Sequence, residues 1–154
     1  MLIVGIDPDA ESHGVAVYEG GKLVELSKLQ LVPIIERFSG VEVLFSLENV
    51  IANKFVYRRN QHNNAAVQSN IAMKIGRVQQ AQVELMRLLD HLKKPYALYG
   101  PQKGNWAKDR AGFELATGWA KNSNEDTRAA AYFGYLALRD SGKCLVKNSG
   151  DDNG

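Results

Sequence analysis

The chain opens on Leu2-Ile3-Val4-Gly5-Ile6-Asp7, a run that is apolar at every position but its last and is closed by Pro8. A short run rich in β-branched residues and bounded by proline reads as a buried strand. Such a strand has to be covered, so the rest of the chain must supply partner strands and an apolar layer. Residues 13–19 alternate around Val15 and Val17, Gly20-Gly21 turns the chain, and residues 22–29 return as a third strand. Residues 32–39 suit a short helix with Pro33 near its start and Gly40 after its end. Residues 41–50 form the fourth strand, with Val41, Val43, Phe45 and Leu47 on one face.

A polar stretch rich in Asn and Gln fills residues 51–64. The spacing of Ile71, Ile75, Val78, Leu85, Leu88 and Leu92 then predicts a long helix over residues 65–92, stopped by Pro95. Residues 96–99 make a fifth strand, broken by Gly100-Pro101. A helix within residues 105–120 stacks Ala111, Leu115 and Trp119, and Asn122-Ser123-Asn124 caps a last helix over residues 125–140. That last helix turns Asp126, Ala130, Phe133 and Ala137 inward. From residue 141 the composition becomes small and polar, which predicts one domain over residues 1–140 and a flexible tail over residues 141–154. The order implies an α/β protein, a mixed five-stranded sheet flanked by helices.

Bulk properties exclude several classes. With 45% hydrophobic and 23% charged residues, the sequence is that of a soluble globular domain. No apolar run approaches the roughly 20 residues of a membrane span, and no basic leader precedes the first strand, so no membrane partner is expected and the cytoplasm is the default location. A lone cysteine, Cys144, leaves no disulfide framework, and His13, His62 and His91 lack ligand spacing. Net charge is only +2, but no acid lies between Glu48 and Glu84, where Lys54, Arg58, Arg59, Lys74 and Arg77 fall. A segment of one sign suits a polyanion such as nucleic acid, and equally suits a solvated face.

Three acids stand where carboxylates are costly. Asp7 and Glu48 end apolar strands, and Asp126 heads the apolar stripe of the last helix. If the first and fourth strands are parallel neighbours, their terminal acids lie roughly 5 Å apart in the backbone, at the strand ends where open α/β sheets bind ligands. Gly5 and Ser46, small residues on the same faces, would leave room for hydrated ions. An all-oxygen set without His or Cys suits Mg2+ or Mn2+. Taken singly, the acids also suit a turn cap at Asp7, an edge charge at Glu48 and a helix-dipole partner at Asp126.

These residues carry a family resemblance. Val4-Gly5-Ile6-Asp7-Pro8, with Gly14 in the second strand, resembles the opening of RuvC-type Holliday junction resolvases, whose Asp is a metal ligand. Leu47-Glu48-Asn49 is similar to the fourth-strand motif that carries the second acid, residues 70–80 (NIAMKIGRVQQ) resemble the long helix, and Glu125 to Ala130 resembles the closing helix. The resemblance spans residues 2–138 and implies an RNase H-like fold. It also implies a homodimer that binds four-way or branched DNA and makes paired nicks leaving 5′-phosphate and 3′-hydroxyl ends. The short length suits a phage-type member, which would place it in the host cytoplasm. The family's closing motif carries two acids three residues apart. Here Ala129 stands in the second place if Asp126 takes the first; in a shifted register Ser123 takes the first and Asp126 the second. Glu125 is the candidate substitute, and Asp9 replaces the glycine expected after Pro8.

On this basis Asp7 is expected to bridge two Mg2+ or Mn2+ ions, with Glu48 and Asp126 each completing one shell. Lys54, Arg58, Arg59, Lys74, Arg77, Lys103, Lys108 and Arg128 are the candidate DNA cations, and Phe55 and Tyr57 the candidate base-stacking residues. Three rivals stay open. They are another RNase H-like nuclease acting on hybrid or branched substrates, a junction-binding protein impaired by Ala129, and an actin-like ATPase, which the short chain and the lack of a second phosphate loop disfavour.

Overall fold

A computed structural model describes residues 1–52 and 65–149. Five strands, β1 (Leu2–Asp7), β2 (His13–Glu19), β3 (Lys22–Leu29), β4 (Val43–Glu48) and β5 (Tyr96–Tyr99), form one sheet in the order β3-β2-β1-β4-β5. β1, β2 and β3 pair antiparallel, whereas β1, β4 and β5 run parallel. The β2–β3 hairpin turns on Gly20 and Gly21, both at positive φ, as the sequence implies. The helices are α1 (Leu31–Phe38), α2 (Ala65–His91), α3 (Arg110–Thr117) and α4 (Glu125–Asp140). This is an α/β fold of the RNase H-like kind.

The period-2 alternation of the strands sorts their residues between two cores. Val4, Ile6, Val15, Val17, Val43, Phe45 and Leu47 face α1 and α2, where Ile34, Phe38, Leu85 and Leu89 meet them. Ile3, Ala16, Tyr18 and Leu23 face α4 and the segment that carries Trp106 and Phe113. Residues 5, 7, 14, 46 and 48 belong by alternation to this second face.

α4 lies directly on that face. A Cβ on Gly5 would overlap the carbonyl oxygen of Ala130 and stand 2.6 Å from the backbone nitrogen of Gly134, and one on Gly14 would meet the carbonyl oxygen of Asp126. Helix backbone thus rests on sheet backbone. The Ser46 hydroxyl donates to the Phe133 carbonyl and the Tyr18 hydroxyl to the Ala131 carbonyl, both at 2.6 Å. The small residues Gly5 and Ser46 therefore seat a helix, and the space foreseen there for hydrated ions is filled by α4 backbone.

Several helix faces differ from the sequence pattern. In α2 the buried positions are Gln82, Leu85 and Leu89, with Leu88 and Leu92 only half-buried. The stripe passes through a glutamine that an apolar count skips. In α3 the buried residues are Phe113 and Thr117, while Leu115 is 74% exposed and Ala111 is also exposed. Gly118, left-handed at φ 72°, ends α3 before Trp119, so the i, i+4, i+8 stack cannot form. Val41 precedes β4 and is exposed. Beyond α4 the chain returns to the sheet: the Val146 N–H bonds the Gly21 carbonyl at 2.8 Å, and the Asn148 side chain bonds the Leu23 carbonyl at 3.0 Å.

Two glycine substitutions test this seat. Gly5→Ala should destabilise the fold by about 3 kcal/mol or more, since the added methyl meets backbone that cannot retreat. Gly76→Ala, on an exposed turn of α2 with nothing within 4 Å, should instead stabilise by about 0.5–1 kcal/mol. Urea denaturation of both variants reads the contrast, and equal effects would remove the close contact as its cause.

Candidate active site at the carboxyl ends of β1 and β4

The parallel register pairs Ile6 with Leu47, which sets Asp7 beside Glu48 on the next rung. Alternation directs both side chains to the α4 face, and they are hydrogen-bonded to each other. Burial, and then the neighbouring Glu48 carboxylate, push the Asp7 carboxyl up to about 8. Burial also raises Glu48, although its bond to Asp7 works in the opposite direction. The pair therefore holds a shared proton near neutral pH, because two like charges in contact in a poorly hydrated edge cannot both ionise.

Asp126 arrives from above. Asn124 caps α4, its side chain accepting from the Thr127 N–H at 2.9 Å while Thr127 Oγ1 accepts from the Asn124 N–H at 3.0 Å. This capping box puts Glu125 and Asp126 in the first turn, with the Asp126 backbone over Gly14. Asp126 raises Asp7 electrostatically, so its charge is felt at the pair. Its carboxylate is held by a different partner, however: Lys28 Nζ lies 2.7 Å from Asp126 Oδ2 and 3.7 Å from Asp9 Oδ2. Among the described residues no group of three or more His, Cys, Asp or Glu is placed to hold a metal ion. Two of the three expected acids come together, and the third stands at the same edge as half of an ion pair.

Lys28 went unseen in the sequence because no cation lies near Asp7 or Glu48 along the chain. The sheet delivers it. Lys28 pairs with Gly14 and Gly14 with Asp7, so the lysine reaches the acid edge across a residue without a side chain. His13 is also in this corner, buried, its Nδ1 accepting from the Asp9 N–H at 3.1 Å. Burial lowers its pKa, which leaves the ring neutral near pH 7.

A second residue missed in the sequence is Gln82, which is fully buried. Its Oε1 accepts from the N–H groups of Val50 at 2.7 Å and Ile51 at 3.2 Å, and its Nε2 donates to Asn49 Oδ1 at 3.0 Å. Gln79 Nε2 adds a bond to the Val50 carbonyl at 3.3 Å. α2 thereby clamps the chain directly after Glu48 and fixes where β4 delivers its acid. The readable signal is a polar residue at the inward 78, 82, 85, 89 spacing.

The candidate DNA residues divide into three groups. Lys54, Phe55, Tyr57, Arg58 and Arg59 lie outside the described residues. Lys74 and Arg77 are exposed one turn apart on α2, and Lys103 and Lys108 are exposed between β5 and α3. Arg128 is a correction. It is 8% exposed, its Nε and Nη2 donate to the carbonyls of Trp106 and Ala107, and its Nη1 donates to Ser123 Oγ at 3.0 Å. A guanidinium so engaged and so deeply buried ties α4 to the 105–107 segment and is not presented to a phosphate. Glu125 is exposed and Ala129 is buried.

The donor chemistry of Asp7 and Glu48 fits a hard divalent ion, which could take the place of the proton they share. Between pH 3.8 and about 8 the folded chain keeps a proton that an unfolded Asp7 has released, so stability should fall as pH rises through this window. His13 works in the opposite sense, its folded neutrality costing stability only as pH falls below 6.5. Comparison with Asp7→Asn isolates the carboxylate: in metal-free buffer its melting temperature should lose most of the decline that the parent chain shows. Parallel profiles for the two chains would refute the raised acid.

Comparisons with known proteins bear on the fold. No protein-family model and no curated protein matches the sequence. Solved structures do match in three dimensions, two Thermus thermophilus RuvC structures among them. Thermus thermophilus RuvC in complex with a Holliday junction substrate superposes with a TM-score of 0.53 at 17% identity, over 94% of this chain and 98% of that one. A second Thermus thermophilus RuvC structure gives 0.50 at 16% identity, over 94% and 99%. Nor is any helix among the described residues long and apolar enough to cross a membrane. This chain shares the RNase H-like fold of RuvC.

Proposed function

We propose that this protein is a metal-dependent endonuclease that cuts branched DNA, with four-way junctions as its preferred substrate. The observation that carries the reading is the hydrogen-bonded Asp7–Glu48 pair at the carboxyl ends of adjacent parallel strands, in a fold shared with RuvC along almost its whole length. Asp7 and Glu48 would hold Mg2+ or Mn2+, with Asp126, and Glu125 beside it, as the candidate ligands for a second ion. Bound metal would supply the charge that activates water and stabilises the leaving oxygen of a phosphodiester. Lys74 and Arg77, exposed one turn apart on α2, would hold backbone phosphates and so set position rather than sequence. Lys54, Arg58 and Arg59 would add phosphate contacts, with Phe55 and Tyr57 offering rings to an opened base. Lys103 and Lys108, exposed between β5 and α3, would add further phosphate contacts. A homodimer would place two such sites on one junction and give the paired nicks.

The ion pair between Lys28 and Asp126, together with Ala129 at the next turn, favours a second reading in which the protein binds junctions without cutting them. Cleavage of a labelled synthetic four-way junction, an RNA–DNA hybrid and a plain duplex across Mg2+ and Mn2+ concentrations separates the readings. Junction nicking that vanishes in Asp7→Asn while junction binding stays within a few-fold supports the nuclease. Cutting by Asp7→Asn at the parent rate would sink it, and tight binding with no nicking in either ion would establish the second reading.

Changing Lys74 and Arg77 together to Ala should weaken junction binding and lower the slope of log K against log salt by about 2, roughly one per phosphate contact. An unchanged slope would take α2 off the DNA surface.

A further inference from the structure

Four residues form a row across four strands on the α4 face: Lys28, Gly14, Asp7 and Glu48. Lys28 is the cross-strand partner of Gly14, Gly14 is that of Asp7, and Glu48 follows one rung beyond the Ile6–Leu47 pair. Gly14 leaves the row open, and the Asp126 backbone lies over the gap. The ammonium of Lys28 reaches into this corner and is fixed there by Asp126 at 2.7 Å and Asp9 at 3.7 Å.

The oxygen donors at the two ends of the row differ in their counter-charge. At the Glu48 end, two carboxylates stand side by side on neighbouring parallel strands, which is a donor set for one ion. At the Lys28 end, Asp126 and Asp9 both lie against the ammonium. The next turn of α4 offers Ala129, buried and without a donor, and the residue before the cap, Ser123, accepts from Arg128. A second divalent ion would find these carboxylates already neutralised by an ammonium, and two cations would compete for them at close range.

We infer that Lys28 is the second cation of this site, so that the chain takes one divalent ion, on Asp7 and Glu48, and a fixed ammonium at Asp126 supplies the other positive charge. The inference rests on the metal-dependent reading of Asp7 and Glu48. A lysine is suited to the part: it is a compact point charge on a flexible stem, with three donors, two of which remain after Asp126 is satisfied. Lys28 and Asp126 are 29% and 44% exposed at their side chains, so the pair is reachable by a phosphate oxygen and its replacement leaves no buried orphan. Lys28 thereby compensates for the acid that Ala129 lacks: the position needs fewer carboxylates because its cation is covalently part of the chain.

The test is a Mn2+ titration of the full chain without DNA, following free Mn2+ by its paramagnetic resonance signal. The parent chain, Lys28→Arg and Asp126→Asn should each bind one ion. Lys28→Gln, which frees Asp126, should bind a second, and Asp7→Asn should lose the first. Two ions on the parent chain, or a single ion on Lys28→Gln, would overturn the role of Lys28 and leave the metal-dependent reading standing. No ion on the parent chain, or unchanged binding by Asp7→Asn, would overturn both. Melting curves of Lys28→Gln and Lys28→Arg within a few degrees of the parent tie the counts to the site rather than to the fold.

Discussion

α4 touches the sheet through backbone, and the candidate site follows from that contact. A helix packed on a sheet through ordinary side chains stands about 10 Å away, whereas here Gly5 and Gly14 let the carbonyls of Ala130 and Asp126 come down onto β1 and β2. The hydroxyls of Ser46 and Tyr18 then reach helix carbonyls directly. Each such bond is worth about 1 kcal/mol net, and together they fix the height and rotation of α4. Its capped first turn has one place to go, the open end of β1 and β2, and it carries Asp126 there.

The electrostatics of that corner are arranged in opposed halves. Asp7 and Glu48 are pressed together without a counter-charge of their own and keep a proton, which marks a location that favours a cation. Asp126 and Asp9 already have theirs in Lys28. The backbone around each acid is held independently: β-ladder bonds hold Asp7, the Gln82 clamp holds the exit from Glu48, and the Asn124–Thr127 capping box holds Asp126. Each of the three acids is thus held in place independently of the other two. The Arg128 clamp on residues 106 and 107 belongs to the same support, since it pins the segment leading into α3 against α4.

The shared fold with RuvC limits what can be carried across. At 16–17% identity it transfers an architecture alone. It does not transfer a ligand set, and the residues here differ where it matters, with alanine at position 129 and a lysine against the closing acid. The chemistry of this chain therefore has to be argued from its own carboxylates and its own ammonium.

Much of the molecule was legible in one dimension because its determinants are local. The apolar run ending in Asp7, the Gly20-Gly21 turn, the alternation in β4 and the Asn124 cap each depend on a few adjacent residues, and every one of these elements lies within two residues of where the sequence puts it. The pairing of Asp7 with Glu48 was also readable, because a parallel β1–β4 neighbour is the arrangement a right-handed crossover favours. Long-range contacts were not readable. The apolar spacing passed over Gln82, Arg128 was a candidate DNA cation, and Gly5 was expected to leave room for ions, since only assembly brings Asn49, Ala107 and Ala130 to them. The position of Lys28 is the sharpest case. Counting back from the hairpin turn pairs Gly14 with Ser27, but a register shift between Val17 and Tyr18 inserts one residue into β3 and sets Lys28 opposite Gly14 instead. A one-residue slip exchanges the two faces of a strand, so a bulge that leaves no mark in the sequence decided that an ammonium, and not a hydroxyl, faces the acids.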